Sequence, residues 1–233
     1  MACLTKELIE NKKKISKYRI EMEISGQFAC FSRPDSGSDK TSYSVPTFSA
    51  VKGMFESVLF IPTVEVVPIK VEICKPIRFQ QYGFNSRVMS RKGNLINKDT
   101  ATQLRFLVLT NVCYRVYACL INADIGRVEK FMSPAFDKYR NIQHSHSYMD
   151  QFNRRLKKNR CIRRPHLGFA DFISDYFGEF RPKTIVESGL NFTIPSMSFL
   201  NFDQLTCGKI DIKNGFPLFV QNVEVKNGIL EFV

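Results

Sequence analysis

The densest chemistry in this chain lies in Ser145–Asn159, SHSYMDQFNRRLKKN, and in the five residues after it. Placed on a helix at about 100° per residue, Met149, Phe152 and Leu156 share one face, with His146, Asp150, Arg154 and Lys157 opposite. An acid four residues after a histidine can hold the imidazole and keep it more basic. Arg154, Arg155, Lys157, Lys158, Arg160, Arg163 and Arg164 put seven cations into eleven residues, a pattern suited to phosphate. The plain alternative is a solvent-facing helix whose charges serve solubility. A second candidate is the phenol of Tyr43, in a loop before a proline. No phosphate-binding glycine loop, dinucleotide fingerprint, metal site or serine triad can be assembled. What remains suits metal-free RNA cleavage, in which a 2′-hydroxyl attacks its own phosphate. That reaction needs a base for the hydroxyl, an acid for the leaving 5′-oxygen and cations for the transition-state charge. Histidine titrates near neutrality and can serve either proton role, whereas DNA lacks the reacting hydroxyl.

These residues need elements to hold them. Ser42–Phe60, SYSVPTFSAVKGMFESVLF, predicts a helix after Pro46, capped by Thr47 or Ser49. Phe48, Val51, Met54, Phe55, Val58 and Leu59 form its buried stripe, as in any core helix. Helix starts attract phosphate, and Lys52 sits one turn in, so it joins the phosphate candidates. Upstream, Tyr18, Ile20, Met22 and Ile24 alternate with Arg19, Glu21, Glu23 and Ser25, a half-buried strand. Residues 32–41, SRPDSGSDKT, read as a surface loop that offers Arg33 and Lys40. Ile69, Val71 and Ile73 mark a second strand. Residues 80–101 show little periodicity and read as an inserted, partly mobile loop with Arg87, Arg91 and Lys92 as backbone contacts. Leu104–Leu120 reads as two strands with a tight link at Thr110-Asn111. Asn214-Gly215 and Asn227-Gly228 are hairpin signals, the second joining Val223–Lys226 to Ile229–Phe232.

The order strand, helix, strand, strand, helix predicts an α+β fold: a ferredoxin-like (RRM-like) unit over 18–184 carrying the basic helix. A small antiparallel β extension follows over 185–233. No aromatic signature for RRM base stacking falls on the expected strands. Thirty-four Lys plus Arg against 22 Asp plus Glu give a formal charge of +12. Such a surplus favours a polyanionic partner, nucleic acid ahead of membrane. No apolar run reaches the roughly 18 residues of a membrane span, and the polar start, with its run Lys12–Lys14, lacks the apolar core of a secretory signal. Seven dispersed cysteines without a close pair read as reduced thiols, so the chain is expected in the cytoplasm, without cofactor or structural zinc.

Several ordered motifs carry a resemblance. The serine–tyrosine at Ser42-Tyr43, the Pro46-Thr47 helix start and Gly53 resemble the signature of the CRISPR-associated proteins of the fifth Cas family, subtype I-C (also called Dvulg). Phe31-Ser-Arg-Pro-Asp35, Lys75-Pro-Ile-Arg-Phe79, Phe152-Asn-Arg-Arg155, Cys161 and Pro165-His-Leu-Gly168 follow in family order across about residues 18–233. The resemblance implies an RRM-like fold with an elaborated β-rich C-terminal part. It implies an endonuclease that cuts the repeat hairpin of precursor CRISPR RNA and stays on the 5′ handle in a Cascade-like effector. Its partners would be the backbone and large effector subunits, with weak double-stranded DNA binding. The family's catalytic tyrosine falls on Tyr43 and its lysine–histidine pair on Ser145-His146, so the histidine is retained and the lysine is not. The family's R-E-F is Ala170-Asp171-Phe172 here, and its arginine–asparagine is Phe84-Asn85. Loss of the lysine also motivates a non-catalytic reading, a subunit that only binds and caps the handle. His144, Lys138 or Arg154 are the candidate replacements.

Overall fold

The computed structural model describes residues 18–37, 39–87, 101–123, 144–199 and 218–232. Among the described residues, two helices and eight strands follow in the order β1 (Arg19–Ala29), α1 (Phe48–Val58), β2 (Val64–Ile73), β3 (Phe79–Arg87), β4 (Ala101–Asn122), α2 (Ser145–Lys157), β5 (Tyr176–Gly178), β6 (Phe192–Phe199), β7 (Leu218–Lys226) and β8 (Ile229–Glu231). The eight strands form one antiparallel sheet in the order β5-β1-β4-β2-β8-β7-β6, with β3 paired to the first part of β4. The fold is α+β.

Local rules account for the first helix. Thr47 accepts the Ala50 N–H at 3.3 Å, and all six residues of the apolar stripe are buried. Its start is not open to a phosphate. Pro46 and Thr47 are buried, and Phe48 packs on Phe199 and Phe232 with ring centroids 4.3 and 5.7 Å apart. At the other end, Phe55 meets Phe152 of α2 at 5.7 Å. The Tyr148 hydroxyl donates to the Leu59 carbonyl.

Three expectations are corrected. Leu104–Leu120 lies within one strand of 22 residues, not two. Asn111 takes φ 52°, a conformation asparagine tolerates, so the chain passes a turn-like dipeptide without turning. Residues 79–87, read mostly as loop, are β3, paired from Phe79↔Leu109 to Arg87↔Ala101. The first strand is half-buried only at its start, where Arg19 and Glu21 are exposed; further on Glu23 is 0% and Ser25 8% exposed beside the apolar set. The C-terminal hairpin forms where Asn227-Gly228 placed it, with φ 52° and 74° at the turn. It joins the main sheet through β8 and β2. The Lys12–Lys14 run, Arg91, Lys92, Lys138 and the turn at Asn214-Gly215 lie outside the described residues.

Candidate nucleic-acid interface

The second helix spans Ser145–Lys157, so one helix carries both His146 and Asp150. His146 Nδ1 lies 3.4 Å from Asp150 Oδ2, both side chains about 60% exposed. The His146 ring also meets Tyr18, edge to face, at 5.9 Å. Beneath, Tyr148, Phe152 and Leu156 are buried, so burial locks the helix while its outer face stays open. The sequence pattern missed Tyr148, because a tyrosine one turn from a histidine reads as surface; its full burial pushes the phenol's pKa well up.

Arg154, Lys157, Lys158, Arg160, Arg163 and Arg164 are exposed, continuing the open face beyond the helix end. Cations in the last helical turn also sit favourably in the helix dipole. Two of the basic residues are fixed rather than free. Arg155 Nη1 donates to the Val58 carbonyl at 3.2 Å. Arg164 donates from Nε to Ser174 and from Nη2 to Asp175, both carbonyls, at 2.9 Å. The loop itself is pinned by the N–H groups of Ile162 and Arg163, each 3.0 Å from the Ser57 carbonyl.

Ser145, where the family resemblance places a lysine, is 6% exposed and donates to Asn122 at 3.0 Å. A lysine could not keep that position and reach solvent unchanged. His144 is the exposed N-cap residue and makes no side-chain cap.

Other phosphate candidates fare differently. Arg33 is exposed but committed to Asp35, with Nη2–Oδ2 at 2.6 Å, and its guanidinium lies 5.8 Å from the Tyr43 ring. Lys40 is half-buried and donates to the Gly37 carbonyl at 2.6 Å. Lys52 is corrected: it is 6% exposed and 3.9 Å from Glu56, so it faces the interior rather than a ligand. Arg87 ends β3.

Tyr43 does not join His146. Its ring is 5% exposed and its hydroxyl accepts the Ser198 N–H at 3.1 Å. Burial raises the phenol's pKa, against the lowering by that N–H and by Arg33. Two rulers give the separation. Ser42 N bonds Leu107 and Leu120 N bonds Tyr18, so the two groups are anchored thirteen residues apart along β4. Equally, Ser198 adjoins the ring on which Phe48 starts α1, whereas Tyr148 bonds the far end of that helix, about 16 Å long. The structure brings Asp150 to His146, places Arg154 and Lys157 two and three turns further along the same helix, and leaves Tyr43 elsewhere.

Sequence reasoning named Gly168 and Glu23 but gave neither a structural role. Gly168 has φ +92°, and a Cβ there would lie 1.8 Å from the Cys30 carbonyl oxygen. Beside it, Cys30 N bonds Leu167 O at 2.9 Å, clamping the Pro165–Gly168 motif to the end of β1. His166 in that motif is half-buried; burial, then Arg163, lowers its pKa. Glu23 accepts from Arg181 N at 2.9 Å, Arg181 Nε at 2.5 Å and Thr184 at 2.8 Å.

No family model matches the chain. A CRISPR pre-crRNA endoribonuclease Cas5d of Mannheimia succiniciproducens is 23% identical over 231 residues, covering 91% of this chain and 94% of that protein. A second protein of the same name, from Thermus thermophilus, is 27% identical over 184 residues, 78% of this chain and 72% of its own length. The crystal structure of a CRISPR-associated protein shares the fold with TM-score 0.65 at 16% identity, covering 92% of this chain and 91% of its own. A functionally uncharacterized protein from Streptococcus mutans does so with TM-score 0.62 at 17% identity, covering 92% of each chain. The chain is thus similar, along most of its length, to two proteins named CRISPR pre-crRNA endoribonuclease Cas5d, and it shares the fold of a CRISPR-associated protein.

Proposed function

We propose that this chain binds the repeat stem-loop of precursor CRISPR RNA on the outer face of α2. There it cleaves the RNA without a metal ion by 2′-hydroxyl attack and keeps the 5′ handle within a Cascade-like effector. The observation that carries the reading is the exposed His146–Asp150 pair, continuous with Arg154, Lys157, Lys158, Arg160 and Arg163 on a helix fixed from beneath. The names of the two relatives support it. A-form RNA is read by shape and phosphates, which an open cationic face suits. His146 would transfer the proton and the cations would offset the charge developing on phosphate. The scaffold is read as a ferredoxin-like core: β1, α1, β2, β4, α2 and β5 follow its order, and the strand order β5-β1-β4-β2 supports it.

One observation favours a second reading, a subunit that grips the handle without cutting. Tyr43 is buried and anchored away from His146, and Ser145 supplies no cation. Incubation with the cognate repeat RNA in EDTA separates the two. A 2′,3′-cyclic phosphate end, lost at least 100-fold in His146→Ala with stem-loop affinity unchanged, establishes the first. Tight binding with no cleavage by the parent protein establishes the second.

A further inference from the structure

Between the C-terminal end of α2 and β5 lies a cavity of about 280 Å³. That is near the lower end of the roughly 300–1,000 Å³ usual for small-ligand clefts, and it suits a single nucleobase. Leu156 and Lys157 form one wall, and Asp175–Glu179 with Arg164 the other. We propose that this cavity receives one unpaired guanine of the bound RNA, read by the Asp175 carboxylate. The inference rests on the RNA reading above and deepens it, by giving the basic face a base-specific subsite.

The lining sets the ligand's chemistry. Lys157 and Arg164 belong to the basic face itself, so a strand lying on that face passes the cavity mouth. Arg164 is held by the carbonyls of Ser174 and Asp175, leaving its remaining N–H groups for a phosphate. Glu179 is 3.9 Å from Lys157 and its carbonyl accepts from the Tyr176 hydroxyl. Asp175 is different. Its backbone N–H bonds the Ser25 carbonyl at 2.8 Å, while its exposed carboxylate has no partner among the described residues.

A carboxylate only accepts, and accepts best from two adjacent donors. On the Watson–Crick edge only guanine offers them, from N1–H and the N2 amine. Adenine and cytosine place a ring acceptor beside their amine, and uracil flanks its single donor with two carbonyls, so each would set lone pairs against the carboxylate. The floor is β5, the terminal strand of the sheet, where the Tyr176 side chain lies over Gly178 so closely that a Cβ there would fall 2.6 Å from its hydroxyl.

The test uses the full chain with the four nucleoside 5′-monophosphates as probes, followed by amide chemical-shift titration. Guanosine monophosphate should move the Asp175–Gly178 signals and bind at least tenfold more tightly than the other three. Asp175→Asn, which keeps the backbone bonds, should erase that preference and weaken binding of an RNA that carries the unpaired guanine by about the same factor, with the fold kept by circular dichroism. Equal affinities among the four nucleotides, or shifts absent from this cavity, would overturn the proposal. Guanine-selective shifts in a protein that fails to bind its repeat stem-loop would uphold the cavity and sink the RNA reading instead. Stem-loop binding without such shifts would do the reverse.

Discussion

At the scale of single residues, burial decides which candidates can do chemistry. His146 and Lys52 both sit on amphipathic helices, and the sequence offered both as ligand contacts. One is on the open face, the other is 6% exposed against Glu56. A lone lysine within an apolar stripe does not announce which way it points, because its long stem packs as readily as a leucine. Tyr43 was legible as a special position but not as a buried one. Its hydroxyl satisfies the N–H of Ser198, a residue far along the chain whose pairing no local pattern encodes. Tyr43→Phe should therefore cost about 1–3 kcal/mol of stability, the penalty of a buried N–H left unpaired. Its rate of RNA cleavage should stay within about threefold of the parent's. Denaturant unfolding and single-turnover kinetics check the two halves, and a rate loss of several orders with unchanged stability would return the phenol to the reacting centre.

At the scale of elements, periodicity found what periodicity governs. The stripe and Thr47 cap of α1, the two faces of α2 and the Asn227-Gly228 hairpin were all readable, because each is set by neighbours in sequence. The strands β3 and β4 were misread for the opposite reason. Thr110-Asn111 carries turn chemistry, yet pairing with β1 and β3 on either side of it holds the backbone extended. The Pro165–Gly168 motif could be recognised but not explained until Cys30 was seen against it. At Gly168 the positive φ and the Cys30 carbonyl both forbid a side chain. Gly168→Ala should destabilise the protein by about 3 kcal/mol or more, measured by thermal or denaturant unfolding. Gly53, with nothing within 4 Å of an added Cβ, is the control, and Gly53→Ala should be neutral or stabilising.

At the scale of the whole molecule, one buried acid ties the far segment to β1, beside the edge of the sheet. Glu23 is 0% exposed on β1, where Arg181 and Thr184 reach it and Arg115 Nε lies 3.7 Å away. Burial alone would raise its pKa, but the hydrogen bonds and charge of Arg181 outweigh that and hold it below the usual range. The folded form therefore binds this proton less readily than the unfolded one. The resulting stability is present above the unfolded value, near pH 4.5, and is lost as the pH falls through the lower folded value. Glu23→Gln should cost about 3–5 kcal/mol at pH 7 and flatten the acid limb of the stability curve. An unchanged acid limb would show that this carboxylate is not the titrating link. Net charge is also legible at this scale: a formal +12 predicts an anionic partner, and the fold leaves most of the cations clustered over Arg154–Arg164 exposed.

The account stands or falls on whether RNA lies across that helix face, and the salt dependence of stem-loop binding measures it. Each phosphate neutralised adds about 0.7–0.9 to the slope of log K against log salt. With Arg154, Lys158 and Arg160 all changed to Ala, the slope should fall by about 2 while the fold, followed by circular dichroism, is kept. A slope identical to that of the parent protein would place the RNA on some other surface and contradict the account.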